Sequence, residues 1–435
     1  MMKRALVLLM TVPFTLAAQQ PAGDRTRPIT LDEAVRLAQR NNPAAVQARN
    51  ALRTTSAAVR TAISQYIPSL SVSGSGSKTG GETFFQGKLV PYSGVPWSFS
   101  RGYSANLELF DGGRRWFNLK SARANVDAAD ASETSQMYNV ALQVKQQYFA
   151  VLAARESESA ANRQLEQATE QLKSSIAKVR AGAATKSDSL RGAIAVGNAR
   201  LAQLTAQNNL RAANAALTRL TGASDVVTAM PADTADVGRI VLDSVELASL
   251  ALQGPTVRQA EASLAAAKAA KSAAKTPYLP TITSSYSLNG NNTAESFDWG
   301  SGSIARQTSL RFSLNFPLFN NYTREQNVVT ATVNEENATA TLRDARLAQQ
   351  QSLVQYLGAF RTAEERVGIQ LASVAAAEED LRVQQQRYAL GASVLLDVLT
   401  SQTTLDQARA ALIQARYDAR IAKAQVEALV GRDLK

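Results

Sequence analysis

The segment Tyr66-Ile67-Pro68-Ser69-Leu70-Ser71-Val72-Ser73-Gly74-Ser75-Gly76-Ser77 changes period partway along. Upstream of Tyr66 the apolar residues recur at helical spacing. Pro68 stops the helix, because its ring removes a backbone donor and clashes with the preceding turn. From Ser69 onward, Leu70, Val72, Gly74 and Gly76 fall on one face and the serines on the other, the two-residue period of a strand. The same passage returns 212 residues later as Tyr278-Leu279-Pro280-Thr281-Ile282-Thr283, with Tyr286 and Leu288 continuing the alternation against Ser285 and Ser287.

Working outward, other landmarks return at nearly the same interval. Leu31-Asp32-Glu33-Ala34 before Asn42-Pro43 answers to Val245-Glu246-Leu247 before Gly254-Pro255, and Gln47-Ala48 to Gln259-Ala260. Beyond the strands the offset is 209: Leu109-Phe110 answers to Leu318-Phe319, Gly182 to Gly391, Asp188 to Asp397 and Gly222 to Gly431. A shift that changes only across a loop marks a tandem duplication. The expected division is a signal segment at 1–18, a first repeat at 19–222, a linker at 223–242 and a second repeat at 243–431.

Each repeat opens with a short helix, with capping-box spacing at Thr30/Glu33 and an acidic counterpart at Asp243/Glu246. Helices are expected at about 43–66 and 255–278, started by Pro43 and Pro255. Strands are expected at about 69–79 and 99–110, then 281–289 and 308–317. In the partner strands Tyr103, Ala105, Leu107 and Leu109 oppose Ser100, Gly102, Ser104 and Asn106, and Leu310, Phe312 and Leu314 oppose Ser309, Arg311 and Ser313. Strands of this length, apolar on one face and polar on the other, suit an outer-membrane barrel or the half-buried sheet of a soluble protein. The loops at about 80–98 and 290–307 hold Tyr92, Trp97, Phe297 and Trp299, which suit an interfacial aromatic belt. Asp111-Gly112-Gly113 and Asn320-Asn321 can cap very long helices, about 114–181 and 321–389. These turn at Gly182 and Gly391 and return over 186–221 and 394–430. Nearly seventy residues at a 1.5 Å rise span roughly 100 Å, too long to bury in one small domain.

Composition narrows the function. The 435 residues contain no Cys and no His, which removes disulfides, thiolate chemistry, the commonest metal ligand and the commonest general base. No catalytic residue, cofactor or metal site is expected. Lys3 and Arg4, the apolar run from Ala5 to Leu16 and the small Ala17-Ala18 have the three parts of a secretory signal. The net charge of +11 is scattered among acidic residues on helix faces, unlike a nucleic-acid surface. Gly74-Ser75-Gly76-Ser77-Lys78-Thr79 resembles a phosphate loop but lacks glycine before the lysine and has no following helix.

Four strands cannot close a barrel, so more than one copy is required. Three copies would supply twelve. The chain resembles the TolC family of outer-membrane efflux proteins over essentially its whole mature length. The resemblance rests on Leu31-Asp32-Glu33-Ala34 through Asn42-Pro43, Tyr66-Ile67-Pro68-Ser69-Leu70, the Leu-Phe-Asp-Gly-Gly turn at 109–113, and Arg387-Tyr388-Ala389-Leu390-Gly391 leading to Leu396-Asp397-Val398-Leu399. It implies a mainly α-helical protomer with a membrane β-barrel, closing as a homotrimer into a twelve-stranded barrel and a helical periplasmic tunnel. It further implies an exit duct in the outer membrane, in contact with its lipid, that serves a periplasmic adaptor protein and an inner-membrane transporter.

By the same resemblance Asp188, Asp397 and Tyr388 form a periplasmic gate, and the turns at Gly182 and Gly391 meet the adaptor. Pro68 and Pro280 mark the helix–strand junctions. On chemistry alone the two aspartates are equally well read as helix caps or as a carboxylate gate. The chain departs from the family at Thr400 and Ser393, where charged residues are common. A protein-secretion duct and a pore-less coiled-coil spacer of the envelope are the alternative functions.

Overall fold

The computed structural model describes residues 26–91, 94–182, 184–230, 244–297, 299, 304–432 and 434. The signal segment, Tyr92 and Asp243 lie outside these residues.

Strand β1 (Arg27–Ile29) leads into helix α1 (Leu31–Asn41), whose N-terminal Thr30 hydroxyl accepts from the Glu33 amide at 3.2 Å. Only this half of the expected capping box forms, because the Glu33 carboxylate is taken by Arg27. Helix α2 (Pro43–Ser64) starts on Asn42, whose side-chain oxygen accepts from the Ala44 amide at 2.9 Å. Strand β2 (Ser69–Lys78) follows Pro68, and strand β5 (Trp97–Phe110) returns antiparallel to it. Between them, in a region expected to be loop, β3 (Glu82–Phe85) and β4 (Lys88–Pro91) form a small hairpin. Its turn residues Gln86 and Gly87 have φ of 48° and 80°, the primed geometry of a two-residue hairpin.

Helix α3 (Arg114–Arg180) and helix α4 (Lys186–Thr221) form the first long hairpin. Strand β6 (Val227–Ala229) pairs parallel with β1, although this stretch was expected to be plain linker. Helices α5 (Ser244–Leu252) and α6 (Pro255–Ala274) and a 3₁₀ turn (Thr276–Tyr278) come next. Pro280 then separates that turn from β7 (Thr281–Ala294), which pairs with β5 on one side and β8 (Ala305–Asn315) on the other. Helices α7 (Thr323–Ala389) and α8 (Leu395–Val430) make the second long hairpin. In both halves the long outgoing helix has 67 residues and the return helix 36. No helix among the described residues is long and apolar enough to cross a membrane.

The helices pack side by side as a layer. Along the lower part, α4 packs on α3, α3 on α8 and α8 on α7; towards the sheet, α2 packs on α3, α3 on α6 and α6 on α7. The main core lies at the waist, where the β1–β6 ribbon docks on α3. Ile29, Val144, Val151, Leu217 and Val227 are fully buried there, and the Tyr148 hydroxyl donates to the carbonyls of Ile29 and Met230, both at 3.1 Å. The half-buried pair Lys145–Glu427, at 2.7 Å, ties the first hairpin to the second.

The four-stranded sheet runs β2-β5-β7-β8, so β2 and β8 are open edges. Its apolar face is bare: Leu70, Val72 and Leu314 are 80%, 74% and 69% exposed. A soluble half-buried sheet would cover such a face. Exposed apolar rows across a whole sheet instead mark contact with lipid.

Candidate functional site

The tips are built from turns that need glycine. Gly182 and Gly391 have φ of +72° and +73°, where a side chain is strained, and an added Cβ would meet nothing within 4 Å at either. Backbone conformation, and no lack of room, requires glycine there. At the first tip the Asp188 Oδ2 accepts from the Thr185 amide at 3.0 Å and from its hydroxyl at 2.9 Å. At the second, the Asp397 Oδ2 accepts from the Ser393 hydroxyl at 2.7 Å and the Val394 amide at 3.3 Å. The Ser393 bond, then the Val394 amide, holds the Asp397 carboxyl below the usual aspartate range. Both aspartates thus cap returning helices; Asp397 remains exposed and Asp188 is half-buried. Ser393 serves as a donor to Asp397.

Tyr388 is turned inward. Its ring packs against the cluster of Ala377, Leu381, Val398 and Leu405, and the Lys178 Nζ lies 4.1 Å from the ring centre. Its hydroxyl is buried without a hydrogen-bond partner. Burial, and next the nearby Asp188 charge, push its phenol above the ordinary range. The fold therefore brings Tyr388 of the second tip towards Lys178 and Asp188 of the first, while the partners of Asp397 are local. Above the tips a groove of about 760 Å³ separates the hairpins, lined by Gln171, Arg191, Ile194, Leu381, Leu396 and Asp406. The half-buried Asp406 carboxyl is raised by desolvation although Gln164 and Gln402 donate to it at 2.8 and 3.1 Å.

At the other end, one sheet face is a hydroxyl lining. Ser71, Ser104, Ser287 and Ser309 stand in register across all four strands. Ser71–Ser104 hydroxyls are 2.6 Å apart, and Ser287–Ser309, Ser75–Ser100 and Ser77–Ser98 are each 2.8 Å apart. Two charges share this face. Glu108 accepts from Arg114 through both oxygens, at 2.9 and 3.0 Å, whereas Arg311 pairs in register with Ser285 and has no acid partner among the described residues.

The helix–strand junctions contain residues that the sequence reading missed. At the first, the Arg115 guanidinium lies over the Tyr66 ring at 4.9 Å, bonds the Asp111 carboxylate at 3.1 Å and donates to the carbonyls of Gln65 and Leu109. At the second, Arg324 lies over Tyr278 at 4.7 Å and donates to the carbonyls of Pro317 and Leu318. Pro68 and Pro280 sit beside these buckles. The signal was available, since Arg115 and Arg324 are themselves 209 residues apart. Asp111 caps α3 through bonds to the Gly113 and Arg115 amides at 3.0 and 2.8 Å. The expected counterpart fails: the Asn320 side-chain oxygen is buried without a partner, and Tyr322, with φ of 60°, precedes the first turn of α7.

Comparison with known proteins agrees with this geometry. Protein CyaE of Bordetella pertussis is 28% identical over 337 residues, covering 75% of this chain and 68% of that protein. The pyoverdine export outer membrane protein OpmQ of Pseudomonas aeruginosa is 26% identical over 344 residues, covering 77% and 69%. A solved structure of CusC, described in terms of folding and transmembrane channel formation, superposes with a TM-score of 0.78 at 20% identity, covering 99% of each chain. The family described as "Outer membrane efflux protein" matches residues 34–223 and 247–432. The chain belongs to the outer membrane efflux protein family, whose members are exit ducts in the outer membrane with a large periplasmic part.

Proposed function

We propose that three copies of this chain close into one passive duct for small molecules, gated at its periplasmic tips. The open edges of the sheet carry the reading. β2 and β8 are the first and last strands of an antiparallel meander, so they run in opposite directions. β8 of one copy can therefore pair with β2 of the next in the same antiparallel sense, and an even total closes without a parallel seam. The helical layer supports the same closure. Its outer members are α4 and α7, where Leu190 and Leu204, and Val329 and Val354, are exposed. Covering them with a second copy removes apolar surface from water.

In this reading residues 1–18 are a cleaved signal, and the repeats 19–222 and 243–431, joined by 223–242, each supply one long hairpin and two strands per copy. The serine face lines the lumen and the apolar face meets lipid. Asp188 and Asp397 act as caps and, repeated around the axis, as rings of carboxylate that attract cations into a narrow mouth. Tyr388 packs one hairpin against the other and so holds the tips together. A periplasmic adaptor engages the Gly182 and Gly391 turns and the groove between the hairpins, and an inner-membrane transporter supplies the energy. The relative named for pyoverdine export favours a small-molecule cargo over a polypeptide.

Deleting the gene and following retention of a fluorescent amphiphilic dye, alongside the profile of secreted proteins, tests the cargo class. Dye retention with normal secretion is expected. Loss of one secreted polypeptide would replace the reading with a protein-secretion duct, and normal export of both would favour the spacer. For the gate, Asp188→Ala with Asp397→Ala is expected to raise single-channel conductance in planar bilayers; unchanged conductance would leave both as caps alone.

A further inference from the structure

Three cations interrupt the apolar face of the sheet, and all lie towards the end remote from the helices. Lys78 pairs in register with Trp97 at the last rung of β2. Four residues closer to the helices, one row across the sheet reads Gly74, Arg101, Gly290, Arg306. This row lies eight residues further along β7 than the Ile282–Leu314 pair, about 27 Å along the strand and about 20 Å in height at the usual barrel tilt. That is close to the ~25 Å apolar band of an outer-membrane barrel. The Arg101–Arg306 row thus falls at the upper margin of the hydrocarbon, with Lys78 beyond it. A cation on the lipid-facing side is costly at mid-bilayer and cheap at this level.

The surroundings suit a headgroup. Trp97, Phe99, Phe297 and Trp299 form a cluster of edge-on and stacked rings. Trp299 lies over the bare backbone of β2, where a Cβ on Gly74 would come within 2.9 Å of its ring. The Arg101 guanidinium stands over Trp299 at 5.5 Å and the Lys78 Nζ over Trp97 at 6.0 Å. Among the described residues Lys78, Arg101 and Arg306 have no acidic partner, and the described acids of the adjoining loops, Glu82 and Glu295, are not bonded to them. Three cations, Lys78 and Arg101 of them held against aromatic rings, on a face that lumenal solutes cannot reach, lack only an anion at headgroup depth. Phosphate is the matching group, since guanidinium forms paired bonds to its oxygens.

We propose that Lys78, Arg101 and Arg306 form a cationic belt that binds the phosphates of outer-leaflet glycolipid headgroups. The belt rests on the closed barrel proposed above. The test reconstitutes the full-length oligomer into phosphatidylcholine vesicles containing a bis-phosphorylated glycolipid or its dephosphorylated form. Glycolipid retained after extraction is counted by native mass spectrometry. Each cation near an anionic surface is worth about a factor of five in affinity, so Lys78→Gln/Arg101→Gln/Arg306→Gln should lower retention of the phosphorylated form about a hundredfold. Arg306→Gln alone, a milder change on an edge strand, should lower it about fivefold. Lys78→Arg/Arg101→Lys/Arg306→Lys and the lumenal Arg311→Gln should retain it as the parent does. Equal retention by the triple glutamine variant, or equal retention of the dephosphorylated lipid, would overturn the belt. Displacement by excess inorganic phosphate would overturn it in favour of a soluble anion. Loss of heat-modifiable mobility in the parent oligomer would instead indict the barrel, so the two failures are distinguishable.

Discussion

Asp397 keeps its charge because two donors converge on one of its oxygens, and one of them is Ser393. A carboxyl held low in the folded tip stabilises it above the ordinary aspartate range, and that contribution disappears as pH falls through the lowered value. Ser393→Ala removes the first donor, so acid-induced loosening of the second tip should begin at higher pH; limited proteolysis at the turn, followed against pH, reads this directly. An unshifted profile would show that the Val394 amide alone sets the charge. Arg115 is a second case. It is buried with Asp111, and removing one partner of such a pair costs about 3–5 kcal/mol because the other is left uncompensated. Arg115→Ala should therefore lower the melting temperature of the unboiled oligomer clearly. Arg324→Ala should lower it less, because Arg324 bonds carbonyls and its nearest acid, Glu325, is 3.7 Å away. The fold was legible at this scale wherever a residue's backbone demand is steep. Pro68, Pro280, Gly182 and Gly391 mark their turns by φ alone. The arginine buckles were hidden because a guanidinium's partners, here carbonyls from neighbouring elements, cannot be named before those elements are placed.

Among the elements, period was the readable quantity, and it failed where period is absent. The polar end of β7, Asn289 to Ala294, has poor strand propensity, yet it pairs through Trp97 to Gly102 on β5. Three-residue β1 and β6 are too short to show alternation, and their pairing comes from burial at the waist. The β3–β4 hairpin turns on Gln86-Gly87, a weaker signal than Asn-Gly. The strands that did show their period carry a functional expectation. With Glu108 neutralised by Arg114, Arg311 is the uncompensated charge of the hydroxyl lining among the described residues. The strand half of the duct should favour anions, and Arg311→Gln should move the reversal potential in a salt gradient towards cation preference. An unchanged potential would mean that the tips alone set selectivity.

For the whole molecule, the decisive relation is between the two repeats, whose long helices are equal in length: 67 and 67 residues outgoing, 36 and 36 returning. The tips of the two hairpins can meet only if they end at the same height. Removing one heptad from each arm of the first hairpin would raise its tip by about 10 Å. That change alone should abolish the export phenotype and dye efflux, while the same deletion made in both hairpins should restore a stable oligomer. A stable, exporting single-hairpin deletion would show that the tips need no common level. The equality also bears on descent. An insertion or deletion in one arm is a fault until its copy in the other repeat changes by the same amount, so length variants must pass through a defective intermediate. Duplication thus acts as a brake on drift in the tube's reach: substitutions can accumulate independently in the two halves, while the gauge of the envelope gap is inherited in pairs or not at all.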